Sequence, residues 1–220
     1  MSKQVEAVLI GDGPIAWQDV VAVARDRRPL QLSAQTWSRV QEARAAILAI
    51  AGSSKPHYGI NTGLGALCHV VLAPSELQKL SRHTLMSHAC GIGAPLRAEQ
   101  VRAIICCAVV NYSHGYSGVS PQVVEGLLNL LNHDIVPLVP AQGSVGYLSH
   151  MAHIGLALLG QGEVEFRGQR VTAQAALEAV GMASVELGAK DGLCLVNGTP
   201  AMTGLACLTL VDATALADWA

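Results

Sequence analysis

The sequence predicts a mainly α-helical protein with one short β-hairpin. Two observations carry that prediction. Apolar residues recur at helical spacing over several long segments, most of them opened by a Ser or Thr cap or by a first-turn proline. Aromatic residues make up only 4 % of the chain, while Ala and Leu abound.

Ser33 caps the first strong helix, with Trp37, Val40, Ala43, Ile47 and Ile50 on one face and Gly52 as its stop. A glycine-rich turn region follows from His57 to Leu67. Pro74-Ser75-Glu76 starts a second helix expected to run to Gly91, and a third covers about Ala98 to Ser113, apolar on nearly every face and therefore expected inside. Ser120-Pro121 opens a fourth helix through Leu131, and Pro137 and Pro140 then impose an extended stretch leading to Gly143-Ser144-Val145-Gly146. The next helix runs from about Leu148 to Leu159. Val164, Phe166 and Val171 alternate around Arg167-Gly168-Gln169, which reads as a hairpin. A small helix at Ala173 to Val180 precedes Thr199-Pro200, which launches a last helix still running at Trp219-Ala220. No linker or repeat divides the chain, so residues 1–220 read as a single unit.

Fourteen basic against sixteen acidic side chains give a net charge of -2, without the basic excess of an electrostatic nucleic-acid binder. The charged fraction is 14 %, the apolar fraction 51 % and the mean hydropathy +0.38. Such a composition must hide much of its surface, which points to an oligomer or to part of a longer chain. The most apolar stretch, Ala201 to Ala220, is interrupted by Asp212 and Asp218, so no membrane span is expected. The N-terminal MSKQVEAVLIGDG lacks the basic start and apolar stretch of a secretory signal, which places the protein in the cytosol. The six cysteines show no CxxC spacing; they read as small buried hydrophobes, and no metal site is expected.

Three loops place polar residues in glycine-rich surroundings between apolar helices. In Tyr58-Gly59-Ile60-Asn61-Thr62-Gly63-Leu64-Gly65 the glycines allow tight turns, and the Tyr58 hydroxyl can serve as acid or base. Without a following Lys-Ser/Thr the loop is not a phosphate loop. Ser87-His88 lies within a helix and is followed by Gly91-Ile92-Gly93. Asn197 lies between apolar residues and the Thr199-Pro200 helix start, where Thr199 is expected to cap.

In their order these segments resemble the histidine and aromatic amino-acid ammonia-lyase family, with histidine ammonia-lyase nearest in pattern. The resemblance rests on YGINTGLGAL, LMSHACGIGAPL, VRAIICCAVVNYSHGYSGVS, IVPLVPAQGSVG, LALLGQGE and LVNGTPAMTGLA, which together extend over nearly the whole chain. It implies a helical homotetramer that removes ammonia from an amino acid without oxidation. Family members are roughly twice as long, so the chain corresponds to the N-terminal catalytic half, inactive alone because family sites draw on several subunits and on the C-terminal half. Tyr58 matches the catalytic base for the β-proton, and Gly59, Asn61, Thr62 and Gly63 match the lid loop. His88, with Leu64 and Gly65, matches the part of the site that contacts the substrate side chain, and a histidine there is the pattern of histidine-specific members. Asn197 matches the asparagine that contacts electrophile and substrate. His114 stands where the family has Arg, His150 replaces a proline, and His153 matches a helix position.

The family's electrophile is a methylidene-imidazolone (MIO) ring formed from Ala-Ser-Gly between a GSVG motif and Asp-Leu. In this chain Gly143-Ser144-Val145-Gly146 is followed at once by Tyr147-Leu148, so Gly146 and Tyr147 flank the point where the tripeptide would sit. Two readings stand. Either the tripeptide is deleted, giving a catalytically silent homologue that acts as a partner or binds an amino acid, or it exists as the cyclised residue, which one-letter code does not spell.

Overall fold

The computed structural model describes residues 6–11, 13–144 and 148–220. Its architecture is helical: α1 (Trp17–Arg25), α2 (Ala34–Ala51), α3 (Pro74–His88), α4 (Ala98–Ser113), α5 (Pro121–Asn132), α6 (Ser149–Leu158), α7 (Ala173–Ala179), α8 (Asp191–Val196) and α9 (Pro200–Trp219). Short strands stitch the connections. β1 (Val8–Ile10) pairs in parallel with β2 (Leu30–Leu32), β3 (Ile92–Pro95) pairs antiparallel with β5 (Pro140–Gln142), and β4 (Val136–Pro137) joins the β6 (Glu163–Phe166) and β7 (Gln169–Thr172) hairpin. The hairpin turn is Arg167-Gly168, both at positive φ, as a two-residue connection between right-twisted strands requires.

α4 is the central helix. Every residue from Val101 to Val109 is buried, and α1, α5 and α9 pack around it. Gly204 of α9 makes the closest approach: a Cβ there would lie 2.7 Å from the Ala103 carbonyl carbon, so only glycine lets the two helices meet. Arg102 is buried inside this apolar helix because its guanidinium ties helix ends together. Nε and Nη2 donate to the Val23 carbonyl at the end of α1, and Nη1 donates to the Leu131 carbonyl at the end of α5 and to Asp134. The Leu131 carbonyl also accepts from the Asp134 N–H at 3.2 Å, so the cation adds to the closure of that helix end and complements the negative ends of both helices.

Most predicted helices stand where the pattern put them. Ser33 caps α2 through the Thr36 N–H at 3.2 Å, and Gly52 ends it. The second predicted helix stops at His88 instead of Gly91, because Gly91 leaves the helix to donate its N–H to His153 and lead into β3. Ser120 and Thr199 hold the N-cap positions of α5 and α9, but neither side chain makes a capping hydrogen bond. Cys106, Cys107 and Cys194 are buried as expected, whereas Cys68 and Cys90 are exposed. By length and hydropathy alone, Asp191–Trp219 is a stretch long enough to cross a membrane. In the fold Asn197–Thr199 separate it into α8 and α9, and 44 % of its most apolar window is buried.

Candidate active site

Three helices determine where the predicted residues emerge. Gly192 at the start of α8 lies against the Ser81 backbone of α3, where a Cβ would sit 2.3 Å from the Ser81 carbonyl oxygen. Further along, Leu85 of α3 and Leu195 of α8 both meet Gly155 of α6. Both contacts advance in the same direction, so α3 and α8 run parallel and deliver His88 and Asn197 to the same end. α6 runs the other way: Gly155 meets Leu85, and His153 meets Gly91 beyond the end of α3. The N-terminus of α6 therefore lies at that same end. β3 pairs Ile92 with Gln142, and Gly143 packs on the Cys90 carbonyl, which brings the Gly143-Ser144 motif there too. Gly146 and Tyr147 lie outside the described residues.

His88 is half-buried at the last turn of α3. Its Nδ1 lies 2.7 Å from the Thr84 carbonyl oxygen, which can only accept, so Nδ1 carries the hydrogen. In the neutral ring Nε2 is then the acceptor. Ser87 Oγ reinforces the arrangement, 3.0 Å from both His88 Nδ1 and the Thr84 oxygen. His88 lines a cavity of about 320 Å³ whose other walls include Gly63, Leu64, Leu67, Leu72 and Thr84. Gly65 opens the adjoining 3-10 turn at φ 57.

The Tyr58 loop faces two ways. Asn61 and Thr62 turn inward and are buried. The Asn61 carboxamide accepts from the His57 N–H at 2.7 Å and donates to the carbonyls of Lys55 at 2.9 Å and Ser53 at 3.1 Å. Asn61 thus clamps the base of the loop and is not displayed to a ligand. Thr62 bridges to Val71, and the Gly63 N–H donates to Val70. Gly59, at φ 67, seats the loop on α8: a Cβ there would lie 2.4 Å from Leu193 Cδ2. Tyr58 projects outward and is 60 % exposed.

Asn197 is exposed at the end of α8 and lines a second cavity, of about 280 Å³, with Asn111, Tyr112, Ser117, Lys190 and Leu193. Leu193 is therefore shared between the Asn197 cavity and the seat of Gly59. The chain alone does not enclose Tyr58, His88 and Asn197 in one cavity. His88 and Asn197 emerge at one end of the α3–α6–α8 contact, and the Tyr58 loop is seated on α8 through Gly59 and Leu193.

Residues that set this corner were not singled out in the sequence. Asp191 is fully buried; Oδ1 accepts from the Ser120 N–H at 2.8 Å and from Arg44 Nη1 at 3.2 Å, and Oδ2 accepts from the Gly188 N–H at 2.7 Å. Lys190, at φ 68, reaches back to donate to the Ser117 carbonyl at 2.6 Å. Tyr112 donates its hydroxyl to the Cys194 carbonyl, and its complete burial pushes the phenol far above its ordinary range. An acidic residue before a glycine is the sole trace of Asp191 in the sequence, and nothing marks Arg44 as its partner.

His150 and His153, on the first turns of α6, are both shifted below the ordinary imidazole value by burial. His153 accepts from the Gly91 N–H at 3.2 Å, which fits a neutral ring. His150 Nδ1 and Ser120 Oγ are buried without a partner among the described residues. Among those residues, no cluster of three His, Cys, Asp or Glu side chains is placed to hold a metal ion.

The chain belongs to the aromatic amino acid lyase family, whose model matches residues 15–220. In sequence it is similar to the histidine ammonia-lyases of Myxococcus xanthus, 39 % identical over 96 % of the chain, and Sorangium cellulosum, 42 % identical over 92 %. The chain spans about two fifths of the length of these curated relatives, 42 % and 41 %. Among solved structures it superposes on Treponema denticola ergothionase with a TM-score of 0.92 (29 % identity, 96 % of this chain, 43 % of that one). It also superposes on Trypanosoma cruzi histidine ammonia-lyase with a TM-score of 0.87 (30 % identity, 93 % and 41 %).

Proposed function

We propose that this chain forms part of an ammonia-lyase site that takes histidine or a related aromatic amino acid. What supports the reading is that His88 and Asn197 emerge at one end of α3, α6 and α8, that the Tyr58 loop is seated on α8 through Gly59 and Leu193, and that the three follow in the family's order. His88 is the ring selector. With Nδ1–H committed to Thr84, its Nε2 accepts a hydrogen bond from a substrate imidazole N–H, which a phenyl ring cannot supply. The Leu64, Leu67 and Leu72 walls suit the rest of the ring.

The two helix ends have opposite polarity. The C-terminus of α3 favours the ammonium of an amino acid and the N-terminus of α6 its carboxylate. Tyr58, once deprotonated, takes the β-proton as the amine leaves; the products are the unsaturated acid and ammonium. Closure of the Tyr58 loop over the substrate excludes water.

The residues present do not fit an MIO ring. The sequence contains no Ala-Ser-Gly triplet. Its one Ser-Gly pair, Ser117-Gly118, follows Tyr116 and is engaged elsewhere: the Ser117 carbonyl accepts from Lys190, and Gly118 is pressed against Ile47. The chain instead passes into α6 through Leu148 at φ 69 and ψ -81, a strained conformation for a branched side chain. No step above is routed through the ring.

That mismatch favours a second reading, a homologue that binds the amino acid without eliminating ammonia. One experiment separates the two. Full-length protein is incubated with L-histidine, L-phenylalanine and L-tyrosine while ultraviolet absorbance of the unsaturated acid is followed, and the peptide spanning Val139 to His153 is weighed. Product from histidine supports the lyase. Histidine binding without product, with a peptide mass equal to the written sequence, supports the silent homologue. Neither binding nor product overturns both. The homotetramer remains part of the proposal, supported by the apolar, poorly charged composition.

A further inference from the structure

A cavity of about 990 Å³, larger than those at His88 and Asn197, lies between α2, the first turns of α3, one face of α5 and the stretch 182–189. Leu77 of α3 lines it, whereas His88 stands eleven residues further along that helix, roughly 16 Å away at 1.5 Å per residue. Its floor holds donors for which the fold provides no acceptor. Ser120 Oγ is buried without a partner among the described residues, and Ser120 lines the cavity at the N-cap of α5 without capping it. A buried hydroxyl left unpaired is destabilising unless something else supplies the partner. Arg44 lines the same floor with its side chain 10 % exposed, and Asp191 Oδ1 accepts from both Arg44 and the Ser120 N–H. Arg44 Nη1 is engaged by the Gly118 and Ala189 carbonyls and by Asp191, but Nε and Nη2 donate to no oxygen among the described residues. The Gln122 N–H, in the first turn of α5, also lacks a backbone acceptor there.

Charge and shape narrow the occupant. Asp191 neutralises Arg44, and Glu125 and Glu186 stand exposed on the other walls, so the cavity offers donors at its floor but carries a carboxylate excess overall. A free anion is repelled there, whereas a zwitterion brings its own cation. Leu48, Leu77, Met182, Val185 and Leu187 supply apolar walls, and no aromatic ring or histidine is among the lining residues. We propose that this cavity is a second amino-acid site, separate from the ring site at His88, and that it takes an aliphatic α-amino acid. The carboxylate sits on the Ser120 hydroxyl, the free edge of Arg44 and the Gln122 N–H, where the positive end of α5 favours it. The ammonium faces Glu125 and Glu186, and the aliphatic side chain lies against the leucine-rich walls.

Calorimetric titration of L-leucine into the full-length protein tests this. The parent binds L-leucine. Leucinamide, which lacks the carboxylate, and isocaproate, which lacks the amine, each bind about tenfold or more weakly, and inorganic phosphate does not bind. Ser120→Ala deletes a hydroxyl that makes no contact within the fold, so the melting temperature holds while leucine affinity falls severalfold. Ala183→Trp, at an exposed position on the wall, fills the cavity and abolishes binding. His88→Leu leaves leucine binding unchanged, which separates this site from the ring site whatever histidine itself does. Absence of leucine binding to the parent overturns the proposal. So does equal affinity for either truncated analogue, full affinity in Ser120→Ala or Ala183→Trp, or loss of leucine binding in His88→Leu.

Discussion

The Tyr58 loop and the α8 corner both present residues of the candidate site, yet they are held in opposite ways. The loop is fastened by neutral, local hydrogen bonds, with Asn61 reaching backbone groups four to eleven residues away. The corner is fastened by a buried charge, Asp191, whose cationic partner Arg44 lies 147 residues away in sequence. Local clamps can open without disturbing the rest of the fold, whereas a long-range buried ion pair opens only when α2, α5 and α8 separate. The contrast assigns motion to the loop that carries Tyr58 and rigidity to the corner that carries Asn197.

Replacing Asp191 by alanine gives the sharpest break in this comparison. It strands the Arg44 guanidinium and the Ser120 and Gly188 N–H groups inside the fold, and costs about 3–5 kcal/mol in urea unfolding. If the corner were held mainly by apolar packing, the loss would be well under that. Asn61→Ala removes the loop clamp at a cost of about 1–3 kcal/mol. Its signature is faster amide exchange and proteolysis confined to residues 53–72, with a smaller shift of the global midpoint; an equal change throughout the protein would contradict local opening.

Gly59→Ala tests the seat between the two regions. The added methyl meets Leu193 and the backbone must keep φ 67, together costing about 1–2 kcal/mol. Combining it with Leu193→Ala should recover part of that loss, a coupling that a double-mutant cycle measures.

The smallest effect is a pH dependence from α6. Burial, and for His153 also the neighbouring His150, lowers both imidazoles below the ordinary value of 6.5. The unfolded chain therefore binds more protons than the folded one as pH falls below 6.5. Stability is fully present above that pH and declines beneath it, until the folded-state values are passed. His153→Gln should flatten the slope of melting temperature between pH 6.5 and acid; an unchanged slope would remove His153 as a source.

What the sequence revealed and what it hid divide along the same line between local and distant contacts. α2 was legible because Ser33 caps it and Gly52 stops it, and α4 because an unbroken apolar run fits only a helix buried on all sides. The β6–β7 hairpin was legible from Arg167-Gly168. α1 was missed: its inward residues Val20, Val23 and Ala24 make too short a pattern, and its flanking strands span three residues each. α8 was missed because six residues have little helical tendency of their own and depend on Asp191 reaching Arg44.

Tyr58, His88 and Asn197 were picked out by their motifs. The shared end of His88 and Asn197 was not visible, since it follows from Gly192 and Gly155 letting α3, α6 and α8 touch. The inward role of Asn61 was hidden for the same reason, because a glycine-rich string does not show which polar side chain folds back on its own backbone.

The most direct measurement is calorimetric titration of L-histidine and L-phenylalanine into full-length protein and its His88→Leu variant. If His88 selects the ring through Nε2, histidine binds more tightly to the parent by about tenfold or more, and His88→Leu removes or reverses that preference, as expected when a buried hydrogen-bonding group loses its partner. Equal binding of the two amino acids to the parent, or a histidine preference that survives in His88→Leu, would contradict the assignment.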